Sequence, residues 1–462
     1  MSVAQKKQNH PTPDEINKGV QELRKALAKG GWAPISATQK RSVKDPGVKG
    51  SVWVSRIKYD PPPEDNVKQI LLNAISELGD GTEKFAIPEI GELEAQWTGF
   101  RKGVGKDDPE PALSEKEKYE ALCQEISNDK VIFYAYGGAM VYNGPHVARA
   151  TCGSLSRQTG SKCYTIRYRL APQHPFPHAL LDVLHGYLTL LSPPPNSFHP
   201  PIPPSNIIFA GDSAGGCLLV SLIQTILSFH RTSPSSPTPT LTFHTQRIPL
   251  PLPSALTLVS PALDWLTSLP SWSRNRPHDI FRGKMPATES YFPSCPLWPS
   301  SPPREHPYAT ARTLMHPLAS PCTTPSEKWK GAPPMWIAVG SAEGCVDGAR
   351  ILARDVRRAG GWVGWREYER MPHLWAFVFK GWWQSGDVMG EWGRVCKAFG
   401  RGDGGKGRGE AMSIGVDGEA RKMTWDELNA LEHTEVLCVL ENAAEGMEVY
   451  KGQTQPMPKS LL

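Results

Sequence analysis

Asn206-Ile207-Ile208-Phe209-Ala210-Gly211-Asp212-Ser213-Ala214-Gly215-Gly216-Cys217-Leu218-Leu219-Val220 is the stretch on which the reading of this chain turns. Residues 206–210 form a short apolar run of strand character, and 217–223 are apolar for long enough to make a buried helix. Between them stands a small-x-Ser-x-small turn, the pattern of a nucleophile elbow. So tight a turn requires glycine at 211 and 215, where a side chain would strike neighbouring backbone. It lifts the Ser213 hydroxyl clear of the sheet and aims a helix N-terminus at it, which favours developing negative charge. With 42 glycines in 462 residues the motif also arises by chance, so its meaning depends on partners elsewhere in the chain.

Working outward, strand and helix signals alternate. Val131 to Tyr136 is a strongly apolar strand that runs into Gly137-Gly138-Ala139-Met140. Two glycines after a strand are either a plain turn or a loop whose N–H groups point into a cavity, as an oxyanion hole requires. Tyr164 to Tyr168 is the next strand, and Ala179 to Leu191 reads as a helix. Beyond the elbow, 255–259 and 334–340 are strands, about 348–359 a helix, 362–368 the last strand and 381–399 the closing helix. Alternation at this pace implies an α/β fold, a mostly parallel sheet covered on both faces.

The remaining segments divide around that core, which spans 86–400. Residues 1–85 form a lead-in with amphipathic helices over 13–29 and 66–78, either a lid or ordinary packing helices, and a strand over 52–59. The Ser/Thr/Pro-rich 231–253 reads as a surface insertion. A second insertion, 268–312, carries Trp272, Phe281, Tyr291, Phe292, Trp298 and Tyr308, aromatics suited either to a pocket or to packing beneath a loop. Residues 401–462 read as a glycine-rich linker and a tail with one short helix over 424–432.

A formal charge of +5, not gathered into a stripe, gives no argument for nucleic acid. Nine scattered cysteines form no C-x-x-C pair, so neither a zinc site nor a disulfide framework is indicated. Met1-Ser2-Val3-Ala4-Gln5-Lys6-Lys7 lacks the apolar segment of a signal peptide, and no apolar run approaches a membrane span. The expectation is a reduced, soluble, cytoplasmic protein.

Serine is a poor nucleophile until a base takes its proton and a third group orients that base. Where such an elbow sits on a parallel α/β sheet, the chain order is Ser, then Asp or Glu, then His. With the acid after strand 334–340, only His373 and His433 remain downstream. His433 closes a solvated helical stretch beyond the linker. His373, in Met371-Pro372-His373-Leu374-Trp375, follows a strand and a turn, where loops expose reactive groups. For the acid, Glu343 lies in the loop itself and Asp347 nearer a helix start, where a cap is the plainer role. Asp264 also follows a strand but precedes the large insertion. Residue chemistry slightly favours Glu343.

Five blocks now stand in order: Tyr136-Gly137-Gly138-Ala139, Tyr168-Arg169-Leu170-Ala171-Pro172, Gly211 to Gly216, His316-Pro317-Leu318-Ala319-Ser320-Pro321 and Met371-Pro372-His373. Together they resemble the hormone-sensitive-lipase-like branch of the α/β-hydrolase superfamily, which includes arylacetamide deacetylases, over roughly 130–400. The resemblance implies an eight-stranded, mostly parallel sheet with a cap built partly from the N-terminus. It implies Ser213 as nucleophile, His373 as base and Glu343 at the position of the acid, with Asp347 at a second acidic position. Two positions depart from the family: Tyr136 stands where the oxyanion loop usually begins with His, and Ala139 where it has a third glycine.

The function expected is a serine carboxylesterase acting on a small-molecule ester of small or medium acyl group. N–H groups of Gly137, Gly138 and Ala214 would hold the oxyanion, and no metal or organic cofactor is required. The alternatives are an amide, lactone or acyl-transfer reaction at the same site, or a ligand-binding homologue without turnover.

Overall fold

The computed structural model describes residues 10–29, 33–233, 239–281, 293–299, 305–402, 404–405, 409–428 and 430–447. Its strands are β1 (Val52–Tyr59), β2 (Leu93–Phe100), β3 (Val131–Ala135), β4 (Lys162–Ile166) and β5 (Ile207–Asp212), followed by β6 (Thr240–Phe243) and β7 (Gln246–Pro249). After these come β8 (Ala255–Val259), β9 (Met335–Gly340), β10 (Val363–Tyr368), β11 (Gly409–Ile414) and β12 (Ala420–Met423). Ten of them make one sheet in the order β1-β2-β4-β3-β5-β8-β9-β10-β11-β12. Pairing is antiparallel at β1–β2, β2–β4 and β11–β12 and parallel throughout the middle. β6 and β7 form a separate hairpin.

Helices α1 (Pro13–Lys29) and α2 (Ile35–Ser42) precede β1, α3 (Val67–Leu78) follows it, and α4 (Glu115–Glu125) precedes β3. Next, α5 (Arg149–Thr159), α6 (His178–Leu191) and α7 (Ser213–Thr232) follow β3, β4 and β5 in turn. The short helices α8 (Pro270–Arg274) and α9 (Ala311–Leu314) lie between β8 and β9. Then α10 (Val346–Arg358) follows β9, α11 (Trp375–Val378) and α12 (Trp383–Gly400) follow β10, and α13 (His433–Met447) follows β12.

Central strands are apolar on both faces because both faces are covered. Every residue of β3, β5, β8 and β9 is buried. Successive strand residues point to opposite faces. Accordingly, the Phe133 ring meets α6 at Gly186, while Tyr134 packs on Trp392 of α12. Helices α3, α6 and α7 pack together on the first face, and α5 and α12 on the second.

Helix α7 departs from the membrane reading. At 20 residues it is long and apolar enough to span a bilayer, yet it is almost wholly buried inside the fold, so its apolarity serves the core.

Several boundaries also move. The strand expected over 164–168 runs over Lys162–Ile166. The division at residue 85 cuts through the core, since β1 belongs to the main sheet and α3 packs on α6 and α7. Within the insertion 231–253, the hairpin buries Leu241, Phe243 and Ile248 against the main core. Strand 362–368 is not the last, because the segment read as linker and tail contributes β11 and β12, two strands more than the eight expected. The short helix expected over 424–432 is a single turn at Asp426–Leu428. The true helix is α13, which buries Val436, Leu440, Ala444 and Met447 at helical spacing and packs on α9.

Candidate functional site

Ser213 is the first residue of α7 and has a φ of 46°, in the left-handed region that a non-glycine residue seldom enters. The reason lies in its neighbours. A Cβ on Gly215 would run into the carbonyl of Ala135, and one on Gly211 would come within 2.9 Å of the same oxygen. The turn therefore closes directly against the end of β3, and Ser213 takes up the strain. The Ser213 N–H donates to the carbonyl of Ser260 at 3.1 Å.

The Ser213 hydroxyl lies 2.9 Å from His373 Nε2, and His373 Nδ1 lies 2.9 Å from Glu343 Oε2. His373 stands in the loop after β10 and Glu343 in the loop after β9, and both are buried. The second carboxylate oxygen of Glu343 accepts from Ser260 Oγ at 2.8 Å and from the N–H of Gly340. Burial works against a charged His373. The hydrogen bond and charge of Glu343, with the charges of Asp279 and Asp212, outweigh it and hold the imidazole above its ordinary pKa.

The other two candidate acids are occupied elsewhere. Asp347 accepts the Ser271 N–H at 2.8 Å and pairs with Arg274 and Arg350. Asp264 accepts the N–H groups of Leu266, Ser268 and Leu269. His433 begins α13.

The loop after β3 corrects one expectation. Gly137 does not offer a free N–H, because it donates to Asp212 Oδ2 at 3.1 Å. The N–H groups of Gly138, Ala139 and Ala214 have no acceptor among the described residues. Ala139 carries a φ of 53° and Gly138 one of 146°, so the chain reverses there just beside Ser213. Its backbone leaves little room: a Cβ on Gly137 would lie 2.9 Å from that of Ser213.

Asp212 anchors this loop. Its other oxygen accepts the Tyr134 hydroxyl at 2.6 Å, and burial pushes its carboxyl up to about 6 against the pull of those two donors. Tyr136, in place of the family's histidine, stacks on Tyr168 with ring centroids 4.6 Å apart. Tyr168 donates its hydroxyl to the Tyr136 carbonyl at 2.8 Å, and Asn143 Nδ2 donates to the Gly137 carbonyl at 3.0 Å.

These groups open into a cavity of about 1400 Å³ walled largely by apolar and aromatic side chains, among them Tyr142, Trp265, Trp272, Phe281, Phe377 and Met389. Helices α1 and α2 close one side through Arg24, Leu27, Thr38 and Ser42. Of the aromatics noted in 268–312, Trp272 and Phe281 line the cavity, and Trp298 and Tyr308 are buried. Tyr291 and Phe292 lie outside the described residues.

Sequence reading did not single out Cys345. Its thiol donates to Glu343 Oε2 and lies 3.2 Å from His373 Nδ1, and burial, with Glu343 beside it, pushes the thiol well above its usual range. Glu343, Cys345 and His373 are the one group of possible metal ligands among the described residues, and their atoms already bond to one another. Ser260 and Asp279 were also missed. Ser260 follows β8 with a φ of 50°, and its only sequence signal is the Ser260-Pro261 stop.

Comparison with known proteins agrees with this architecture. A family model described as alpha/beta hydrolase fold matches residues 132–377, more than half of the chain. An acetyl-hydrolase of Streptomyces hygroscopicus is 26% identical over 53% of this chain and 68% of its own length. An esterase of Acinetobacter venetianus is 28% identical over 35% of this chain and 44% of its own. Among solved structures, an esterase/lipase from an uncultured bacterium superposes with a TM-score of 0.54 at 20% identity, over 85% of this chain and all of the other. An esterase from the bacterial hormone-sensitive lipase family gives 0.52 at 18%, over 84% and 98%; at these identities the structures establish the fold. The chain thus belongs to the α/β-hydrolase fold family, and its motifs resemble the hormone-sensitive-lipase-like branch of it.

Proposed function

We propose that this carboxylic ester hydrolase cleaves its substrate through an acyl-enzyme on Ser213. The observation that carries the reading is the unbroken pair of 2.9 Å contacts from Ser213 Oγ through the His373 ring to Glu343. His373 Nε2 takes the hydroxyl proton as Ser213 Oγ bonds to the ester carbonyl carbon, and the carbonyl electrons move onto oxygen. N–H groups of Gly138, Ala139 and Ala214 receive that oxyanion; Ala139 replaces Gly137 in this role because the Gly137 N–H is spent on Asp212. The tetrahedral centre then expels the alcohol, which leaves with the proton from His373. Water activated by the same imidazole releases the acid and restores Ser213.

Glu343 keeps the Nδ1 proton in place and stabilises the imidazolium. A wall of aromatic and aliphatic side chains suits a substrate whose groups on both sides of the ester are apolar, and the volume admits a medium acyl chain. The test is hydrolysis of p-nitrophenyl acetate, butyrate and octanoate by wild type and Ser213→Ala. A burst of p-nitrophenol equal to the enzyme concentration, absent in the variant, is expected. Saturable binding without turnover in a folded wild type would overturn the reading.

A further inference from the structure

Segment 271–279 carries three polar residues four apart, Ser271, Asn275 and Asp279, and all three reach the loop that holds Glu343. Ser271 Oγ donates to the Gly344 carbonyl at 2.6 Å. Asn275 Nδ2 donates to the carbonyls of Ser341 and Glu343 at 2.9 and 2.8 Å. Asp279 completes the set from the other sign: its Oδ2 accepts the Gly344 N–H at 2.6 Å. Asp279 alone of the three also reaches the histidine loop, where Oδ1 accepts the His373 N–H at 2.7 Å.

Asp279 is 1% exposed and, among the described residues, has no cationic side chain bonded to it. A buried carboxylate without a counter-ion is expensive, and this one is spent on holding two loops together. The next residues, Ile280 and Phe281, line the cavity, and the Phe281 ring meets the His373 ring edge-on with centroids 5.4 Å apart.

We propose that Asp279 is a positioning residue for the reaction: it fixes His373 and Glu343 in register with each other and makes the cavity wall at 280–281 part of the same rigid unit. This rests on the acyl-enzyme reading above. Among the described residues, the charged and titratable groups that face His373 are Glu343 and Cys345 from the β9–α10 loop, Asp212 at the end of β5, and Asp279. Among the same described residues, those that face Asp279 are His373, Glu343 and Cys345. Burial raises Asp279 to about 6 while the His373 charge pulls it down, so near neutrality the carboxylate adds to the field that favours the imidazolium.

The experiment compares wild type, Asp279→Asn and Asp279→Glu on p-nitrophenyl butyrate across pH, with rates normalised to titrated active sites. In parallel, the His373 imidazole is titrated by NMR with ¹³C-labelled histidine. For Asp279→Asn the expected result is a kcat lower by roughly tenfold or more, a KM changed less than about threefold, and an acid limb and a His373 titration both moved to lower pH. Asp279→Glu keeps the charge, so its titration stays at the wild-type position while kcat falls; it carries the test if the Asn variant does not fold. An unmoved His373 titration together with wild-type kcat in a folded Asp279→Asn would overturn the proposal. Absence of turnover in wild type would overturn the acyl-enzyme reading instead, and the NMR titration distinguishes the two failures.

Discussion

Ser260 touches Glu343 and Ser213 at once. Its hydroxyl donates to Glu343 Oε1 at 2.8 Å, and its carbonyl accepts the N–H of Ser213 at 3.1 Å. The hydroxyl also accepts the N–H of Leu374 at 3.3 Å, next to His373. One small residue with a strained φ thereby ties the loops after β8, β9 and β10 to the elbow. Ser260→Ala keeps the backbone link and removes the hydroxyl. Its kcat on p-nitrophenyl butyrate is expected to fall roughly 10- to 100-fold, the range for hydrogen-bond partners behind reactive groups, with little change in KM.

Glu343→Gln preserves shape but removes the charge opposite the imidazolium and presents an N–H₂ or oxygen where Nδ1–H and the Cys345 thiol both donate. A fall of about 10³- to 10⁴-fold in kcat is expected. Asp347→Asn, by contrast, breaks pairs with Arg274 and Arg350 that lie away from Ser213. It should cost stability, read as a lower Tm, with kcat within a few-fold of wild type.

The pH dependence follows from His373. Its pKa lies above 6.5 because Glu343, Asp279 and Asp212 outweigh burial. The base must be neutral to accept the serine proton, so kcat/KM is expected to rise with pH through an inflection above 6.5. Stability runs the other way: a raised histidine contributes fully below about 6.5, its unfolded value, and that contribution is lost as pH rises through the folded value. Glu343→Gln should move the inflection down, which a pH-rate profile measures directly.

Gly215→Ala puts a methyl group against the Ala135 carbonyl, where backbone on both sides must move. A loss of roughly 3 kcal/mol or more, or failure to fold, is expected. At Gly381 a Cβ meets nothing within 4 Å, so Gly381→Ala should leave the urea midpoint nearly unchanged. A tolerant Gly215→Ala would mean that the elbow does not press on β3.

The parts of the site that were legible in sequence are those with local signals in a fixed chain order. The elbow announces itself through Gly211 and Gly215, Glu343 follows a strongly apolar strand, and His373 follows a strand and a turn. Residues 137–139 were legible as a loop, but which N–H remains free depends on Asp212, 75 residues on. Asp279 had no local signal, since its partners are 65 and 94 residues away. Near the sheet edge, β11 buries only Ala411 and Ile414, three apart, and so lacks the alternation that marks a strand. Its place is set by backbone pairing with β10 on one side and β12 on the other, which leaves little trace in side-chain pattern.

From β5 onward the sheet order β5-β8-β9-β10-β11-β12 is also the order of synthesis. Each strand leaving the ribosome therefore meets an edge that its predecessor has just exposed, and needs to displace nothing to dock. The other flank has no such luck. β1 and β2 emerge first and can pair with each other, but the other edge of β2 belongs to β4, so that edge stays open until residues 162–166 are made. During translation the exposed hazard is thus the N-terminal flank, with Trp53, Ile57, Ala95 and Trp97 uncovered, and that is where a chaperone would be needed first.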